Sequence, residues 1–395
     1  MKLQAQSSRE LQKALQKSAK CVAAKNMASI LDNVLLTKKD DGKMYFTTST
    51  GDAQLTVEAP LNVVEGRFTA PVALRIELIA SLLGTLPDCP VTFSFVDNTQ
   101  TLILEYCTEQ NGVVKPGQVT LTYVSGEDYP LFATIGEDVT SIALPRVYFE
   151  DIVAKASNFV DRKESRAALN SLFVDVAEDH SAVTFVATNG MLLYRATYSH
   201  DPAEGGSDFF RSGTPRSFMV HSSNFRSLSV FEDCEEITLE SNDRFVRFQG
   251  GGAELICKAV EGKYPNFRSI IPTNTPAHVV FSQKEMQTIL KRISLFSDKA
   301  SNCVSVSKNN MFLDLEAKDV DFSISASDQV LVESGECEEG LRVGFNASYL
   351  TTAVSALTAE GSIRMNITDP TRPVTFTVDD PAPRELTLCM PMMLR

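Results

Sequence analysis

The sequence contains no apolar run approaching the ~18 residues needed to span a bilayer. Its opening, Met1-Lys2-Leu3-Gln4-Ala5-Gln6, leads into a polar amphipathic stretch without a signal-peptide core. A cytoplasmic protein with no membrane partner is therefore expected. The eight cysteines are scattered, and no two form a Cys-x-x-Cys pair. That excludes zinc-ribbon and thioredoxin-like chemistry and predicts reduced, mostly buried thiols. Histidine is scarce, with four residues and no His-Glu-x-x-His spacing. There is no Walker A loop, no Gly-x-Gly-x-x-Gly and no Gly-x-Ser-x-Gly elbow. Carboxylates are abundant, but nothing in their spacing pairs them into a site. No metal, cofactor or catalytic residue is expected. A hydrolase or transferase with an unusual carboxylate site would need a polar cluster in one part of the chain, and none is evident.

The chain of 395 residues is 43% hydrophobic and 22% charged, the balance of a globular protein. Its length suggests two to four domains at roughly 150 residues each. Internal similarity narrows this to three. Asp128-Tyr129-Pro130-Leu131-Phe132-Ala133-Thr134-Ile135 resembles Lys263-Tyr264-Pro265-Asn266-Phe267-Arg268-Ser269-Ile270. Each is followed by a polar connection, a strand pattern and a helix pattern. Three helix starts recur: Ser7-Ser8-Arg9-Glu10, Pro145, and Ser282-Gln283-Lys284-Glu285. Two are capping boxes, and Pro is favoured at the first position of a helix.

In each copy the helix is followed by strands (30–36, 172–176, 303–306) and a hairpin. Thr48-Ser49-Thr50-Gly51 corresponds to Ala187-Thr188-Asn189-Gly190, and Ala326-Ser327-Asp328-Gln329 is the third equivalent, without its Gly. A second helix is predicted at 71–83, 221–231 and 346–357, and further strands close each copy. Two helices among many strands predict an α+β layer with antiparallel sheets. The boundaries fall at 1–137, 138–273 and 274–395.

Charge is unevenly distributed. The chain has 50 acidic and 37 basic residues, a net charge of −13. Plotted at 100° per residue, the first helix nevertheless puts Arg9, Lys13, Lys17 and Lys20 opposite an apolar face, with no acid among them. Lys25 follows just beyond. The third copy repeats the layout with Lys284, Lys291, Arg292 and Lys299. The second has Arg146 and Lys155, then Arg162, Lys163 and Arg166. Such faces are either solvated surface or contacts to nucleic-acid phosphates. Purely basic, recurring stripes in an acidic chain favour the phosphate reading, with duplex backbone as the target, because aromatic interleaving is missing.

The end of the chain is apolar. Leu386, Leu388 and Met390 alternate with Glu385, Thr387 and Cys389, the pattern of a half-buried strand. Pro391 has no N–H to extend the ladder. Met392, Met393 and Leu394 either fold into the core or form a docking surface, a role to which flexible methionines are suited.

Several of these stretches together resemble one family. Gly344-Phe345-Asn346-Ala347-Ser348-Tyr349-Leu350, Thr368-Asp369-Pro370-Thr371-Arg372-Pro373-Val374 and Met390-Pro391-Met392 are similar to the third domain of the bacterial DNA polymerase III beta subunit, the replicative sliding clamp. Lys263-Tyr264-Pro265 and Ala187-Thr188-Asn189-Gly190 fit the same family. The resemblance implies three copies of a DNA-clamp domain, with antiparallel sheets outside and two helices per domain facing the DNA. It implies a head-to-tail homodimer closing a ring around double-stranded DNA without sequence preference, and no catalysis.

The partners it implies are the DNA polymerase III alpha subunit, clamp-loader subunits and other proteins carrying a clamp-binding motif. They would dock in a pocket between domains two and three made of Leu169, Thr188, Gly190, Leu193, Pro265, Ile270, Met390, Pro391, Met392 and Leu394. The ring interface would set Val119 and Leu121 against Leu295 and Phe296. DNA contacts would include Lys25, Arg162, Lys163 and Arg166. Two departures stand out: Asn189-Gly190-Met191-Leu192-Leu193 replaces the family's Asp-Gly-His-Arg-Leu, and Arg395 extends past the usual final leucine. A repeat scaffold that binds peptides without encircling DNA is the alternative reading.

Overall fold

The structure, a computed structural model, describes residues 1–23, 28–110, 112–132, 135–136, 138–163, 165–199, 209–319, 321–358, 361–380 and 383–394. Lys25, Ala133, Thr134 and Arg395 lie outside the described residues. The chain groups into two compact units. One comprises Met1–Phe149, Phe210–Thr214 and Ser223–Ala259; the other comprises Glu150–Phe209, Pro215–Ser222 and Val260–Arg395. No helix among the described residues is long and apolar enough to cross a membrane.

In the first unit, helix α1 (Ser8–Ser18) starts where the capping box placed it: the Glu10 N–H donates to Ser7 Oγ at 3.1 Å. Its Leu11, Ala14 and Leu15 are buried in a core with Leu3, Phe46, Phe93 and Leu104. Each such side chain contributes roughly 1.5–3 kcal/mol by leaving water. Helix α2 (Ile76–Thr85) begins later than predicted, because 72–75 forms a strand paired with Asn33–Lys38. Val72, Ala73 and Leu74 are all buried, and that strand pairing takes the place of the first helical turn.

Two antiparallel sheets make up the rest of the unit, one five-stranded and one ten-stranded. The former ends in the Val113–Thr122 strand. Gly51 turns the hairpin between Met44–Ser49 and Ala53–Ala59 at φ +87°, a conformation that favours glycine. The second helix of the middle copy, expected over 221–231, shrinks to a single turn, α4 (Phe225–Leu228). His221 instead ends the strand Phe218–His221, which belongs to the other unit.

The second unit is built on a twelve-stranded antiparallel sheet. Helix α3 (Arg146–Ala156) follows Pro145 as predicted, and its residues from Glu150 onward belong to this unit. Helix α5 (Gln283–Ile293) is capped by Ser282, and α6 (Ala347–Ser355) by Asn346, whose side chain accepts from the Ser348 and Tyr349 N–H groups. Residues 326–329 are not a hairpin turn. They lie inside the long strand Ile324–Glu336, with Ser327 opposite Glu316. Without a glycine nothing interrupts the extended backbone there, and the chain reverses before Ile324 instead. The C-terminal strand Glu385–Cys389 is buried at all five positions, not on one face only. It is sandwiched between Leu192–Ser199 and Val374–Val378, and Thr387 donates to Ala353 O of α6 at 2.9 Å. Four of the eight cysteines are buried; Cys107 is exposed.

Candidate partner groove and basic surfaces

The strand Leu192–Ser199 organises the second unit's apolar site. Opposite partners in an antiparallel ladder point to the same side. Leu193 faces Leu388 across one ladder and Thr188 across the other. Leu193, Val186, Leu386 and Leu388 form one cluster with Tyr264 and Phe267, and Met390 packs against it. Phe173 stacks on Tyr264 with ring centroids 4.4 Å apart and meets Phe267 edge-on at 6.2 Å. Those aromatics were missing from the predicted set. Their signal was present in the alternation around Phe173 and in the repeated Tyr-Pro motif.

The turn feeding the strand is internally locked. Thr188 Oγ1 donates to Leu192 O at 2.6 Å and accepts from the Gly190 N–H, with Gly190 at φ +88°. Leu169 is buried in a short turn whose neighbour Ala168 packs against the same cluster. Pro265 and Ile270 are exposed on the segment that carries Tyr264 and Phe267.

The tail is partly bound and partly open. The Met390 N–H donates to Met191 O at 2.9 Å, and the Met392 N–H donates to Gly344 O at 2.7 Å. Pro391 and Met392 are half-buried; Met393 is 83% and Leu394 37% exposed. Gly344 permits this path, since a Cβ there would come within 2.7 Å of Met392 O and of a Leu394 methyl group. A groove of about 840 Å³ runs beside Met392, Met393 and Leu394 over the strands carrying Cys303, Ser305 and Arg342. The tail is thus neither wholly core nor wholly free: its strand is core, and 390–394 lies along the surface. Three carboxylates near this groove, Asp298, Asp319 and Asp321, come within 4.8 Å of one another, although sequence spacing gave no sign of it. Asp298 accepts from the Ser301 N–H, and Asp319 from the Phe322 N–H.

The opposite side of the same strands is polar at one point. Glu385, opposite Ala196, is buried. It accepts from Lys155 Nζ at 2.6 Å, Tyr194 Oη at 2.7 Å and the Thr358 N–H at 3.0 Å. Burial alone would raise the Glu385 carboxyl, but these donors, Lys155 foremost, hold it below its ordinary value. Lys155 was read as surface charge; its side chain is instead mostly covered and bridges Asp151 and Glu385, each at 2.6 Å.

The basic stripes are less uniform than their spacing suggested. Arg9 and Lys13 are exposed on α1. Lys17, however, is ion-paired with Asp233, and Lys20 Nζ donates to Ser229 O at 3.0 Å. The stripe therefore has an acid beside it, brought from a segment over 200 residues away. On α5, Lys284 and Lys291 are exposed, but Arg292 Nε donates to Asp328 at 3.1 Å. Hydrogen bonds from these bases lower the carboxyls of Asp233 and Asp328. Arg162, Lys163 and Arg166 are exposed on the connection after α3.

Among the expected interface residues, Val119 and Leu121 sit on Val113–Thr122, the edge strand of its sheet, partly buried against the core. Leu295 is 77% exposed and Phe296 40% exposed on a single turn after α5.

Comparison with known proteins agrees with this architecture. Residues 1–133 match the DNA polymerase III beta subunit, N-terminal domain, and residues 268–393 match its C-terminal domain. The "Beta sliding clamp" of Synechocystis sp. is 23% identical over 382 residues, 93% of each chain. That of Synechococcus elongatus is 24% identical over 391 residues, 98% of each. The crystal structure of the DNA polymerase III subunit beta from Pseudomonas aeruginosa superposes with a TM-score of 0.86, covering 100% of both chains at 18% identity. Matches at both ends and a likeness that runs the length of the chain place this protein in the DNA polymerase III beta subunit family.

Proposed function

We propose that the chain is a replicative sliding clamp: a non-catalytic processivity factor that closes as a head-to-tail homodimeric ring around duplex DNA in the cytoplasm. The observation that carries the reading is the end-to-end likeness to beta sliding clamps, which does not favour a peptide-binding scaffold without DNA. The three repeated sections 1–137, 138–273 and 274–395 would be its domains. Val119 and Leu121 of one subunit would meet Leu295 and Phe296 of another, two of these being apolar side chains that a lone chain leaves exposed. Arg9, Lys13, Lys291, Arg162, Lys163 and Arg166 would contact phosphates weakly enough to permit sliding. Lys17, Lys20 and Arg292 would contribute less, because each already has a protein partner.

Partners such as the polymerase alpha subunit and clamp-loader subunits would dock an extended peptide on Met390, Ile270 and the partly buried rim of the cluster that holds Leu193. Apolar anchors supply most of the affinity of such contacts, and tethering raises the local polymerase concentration at the primer end. Encirclement is tested by loading the protein on nicked circular DNA. Retention through gel filtration, with release once the circle is linearized, is the expected result. Equal retention on linear and circular templates would sink the ring.

A further inference from the structure

The groove beside the end of the chain has an apolar wall and an acidic end. Its floor is the outer face of a sheet. Val304, Leu315, Ala317 and Val343 turn inward and are buried, so Cys303, Glu316, Lys318 and Arg342 on the same strands turn outward to line it. The tail forms one wall. The Met392 N–H fastens it to Gly344 O at 2.7 Å, while the Met393 side chain stays 83% exposed. Apolar side chains left open beside a cleft of about 840 Å³ mark a docking surface.

The charges indicate what docks there. Arg342 pairs with Glu316 at 2.9 Å, and Lys318 approaches the same carboxylate at 4.0 Å. Both cations of the groove thus face Glu316. Beyond Lys318 the strand ends in Asp319, which is buried. Its carboxylate comes within 4.8 Å of those of Asp298 and Asp321, which line the groove. No lysine or arginine among the described residues pairs with Asp319 or Asp321. Carboxylates this close repel one another, and a cation placed among them relieves the repulsion. An inorganic ion would answer the acids and leave Met393 and Leu394 bare; a peptide answers both. We propose that the groove receives an extended partner segment that sets an apolar side chain against Met393 and Leu394 and a lysine or arginine among Asp298, Asp319 and Asp321. The proposal rests on the peptide-docking reading above and adds to it a subsite selective for a basic residue.

The test uses the full-length protein and fluorescently labelled ten-residue peptides bearing leucine and phenylalanine anchors. Arg is scanned through the other positions in one series and Gln in a matched series. At one position the Arg peptide should bind about tenfold tighter than its Gln counterpart, the usual weight of a charge-assisted hydrogen bond. That preference should shrink with salt. Asp321→Asn should reduce it below threefold while leaving the Gln-series affinities unchanged. The preferred Arg peptide should also slow alkylation of Cys303 by N-ethylmaleimide, read by mass mapping, because that thiol lies in the groove floor. No preference at any position, a preference undiminished in Asp321→Asn, or unslowed alkylation of Cys303 each overturns the subsite; binding of the Gln series then shows that docking itself stands. Protection of Cys303 by calcium chloride or by rising protein concentration, with none from peptide, gives the groove to a metal ion or a second copy and overturns the proposal. Failure of both series to bind overturns both readings. A thermal melt of the variant separates misfolding from lost recognition.

Discussion

Glu385, buried, and Arg195, half-buried, are charges on adjacent strands of one sheet, one residue apart in register and on opposite faces. Glu385 has three donors around its carboxylate. Arg195 Nε is buried and meets no acceptor among the described residues. The contrast shows that burial alone does not reveal what a charge is for; the state of its partners does. A satisfied charge holds elements together, here α3, the C-terminal strand and the connection after α6. Arg195, whose side chain is half in solvent and whose Nε meets no acceptor among the described residues, makes no such tie.

The comparison can be broken most forcefully at Lys155. Lys155→Met leaves the buried Glu385 carboxylate without its cation and should cost about 3 kcal/mol in urea unfolding. A loss under 1 kcal/mol would mean the network is not structural. The same pair sets an acid dependence. Glu385 titrates below its ordinary 4.5 in the folded protein, so its stabilization is complete at neutral pH. It starts to fade as the pH drops below about 4.5, where the unfolded carboxyl protonates, and is gone below the folded value. Lys155→Met should flatten that acid limb.

A smaller effect is expected at Tyr194, whose hydroxyl burial and Glu385 push to higher pKa. Tyr194→Phe removes one donor to a charged acceptor and should cost about 1.5 kcal/mol. The smallest is Arg195→Met. It should change stability by less than about 1 kcal/mol, because the side chain is half in solvent and its Nε has no acceptor among the described residues to lose. A loss as large as that of Lys155→Met would show that Arg195 has a partner inside the protein and would erase the contrast.

Much of the fold was legible in local chemistry. Ser7 and Ser282 cap their helices because a hydroxyl two or three residues before orphan N–H groups satisfies them wherever the helix lies. Gly51 and Gly190 turn their hairpins because only glycine adopts that φ at little cost. Repeated motifs marked equivalent strands and helices without any tertiary information. The failures were places where a neighbour overruled the local pattern. Residues 72–75 and His221 joined sheets, 326–329 stayed extended because no glycine broke the strand, and the C-terminal strand proved buried on both faces because α6 covers the second.

The candidate site divides the same way. Leu193, Thr188, Gly190 and Met390 could be named from sequence because motif and alternation mark them. Gly344 and Tyr194 could not, because their importance lies in what stands across a ladder from them. The basic stripe of α1 was visible as spacing, but Asp233 beside Lys17 was not.

By itself, the amino-acid order determined the caps, turns, alternation and repeated plan, since those depend on interactions spanning a few residues. Tertiary structure decided which charges are answered, how far the tail Met390–Leu394 is covered, and which strands are buried twice. Those outcomes depend on groups hundreds of positions apart, brought within 3 Å by pairing that no local pattern encodes.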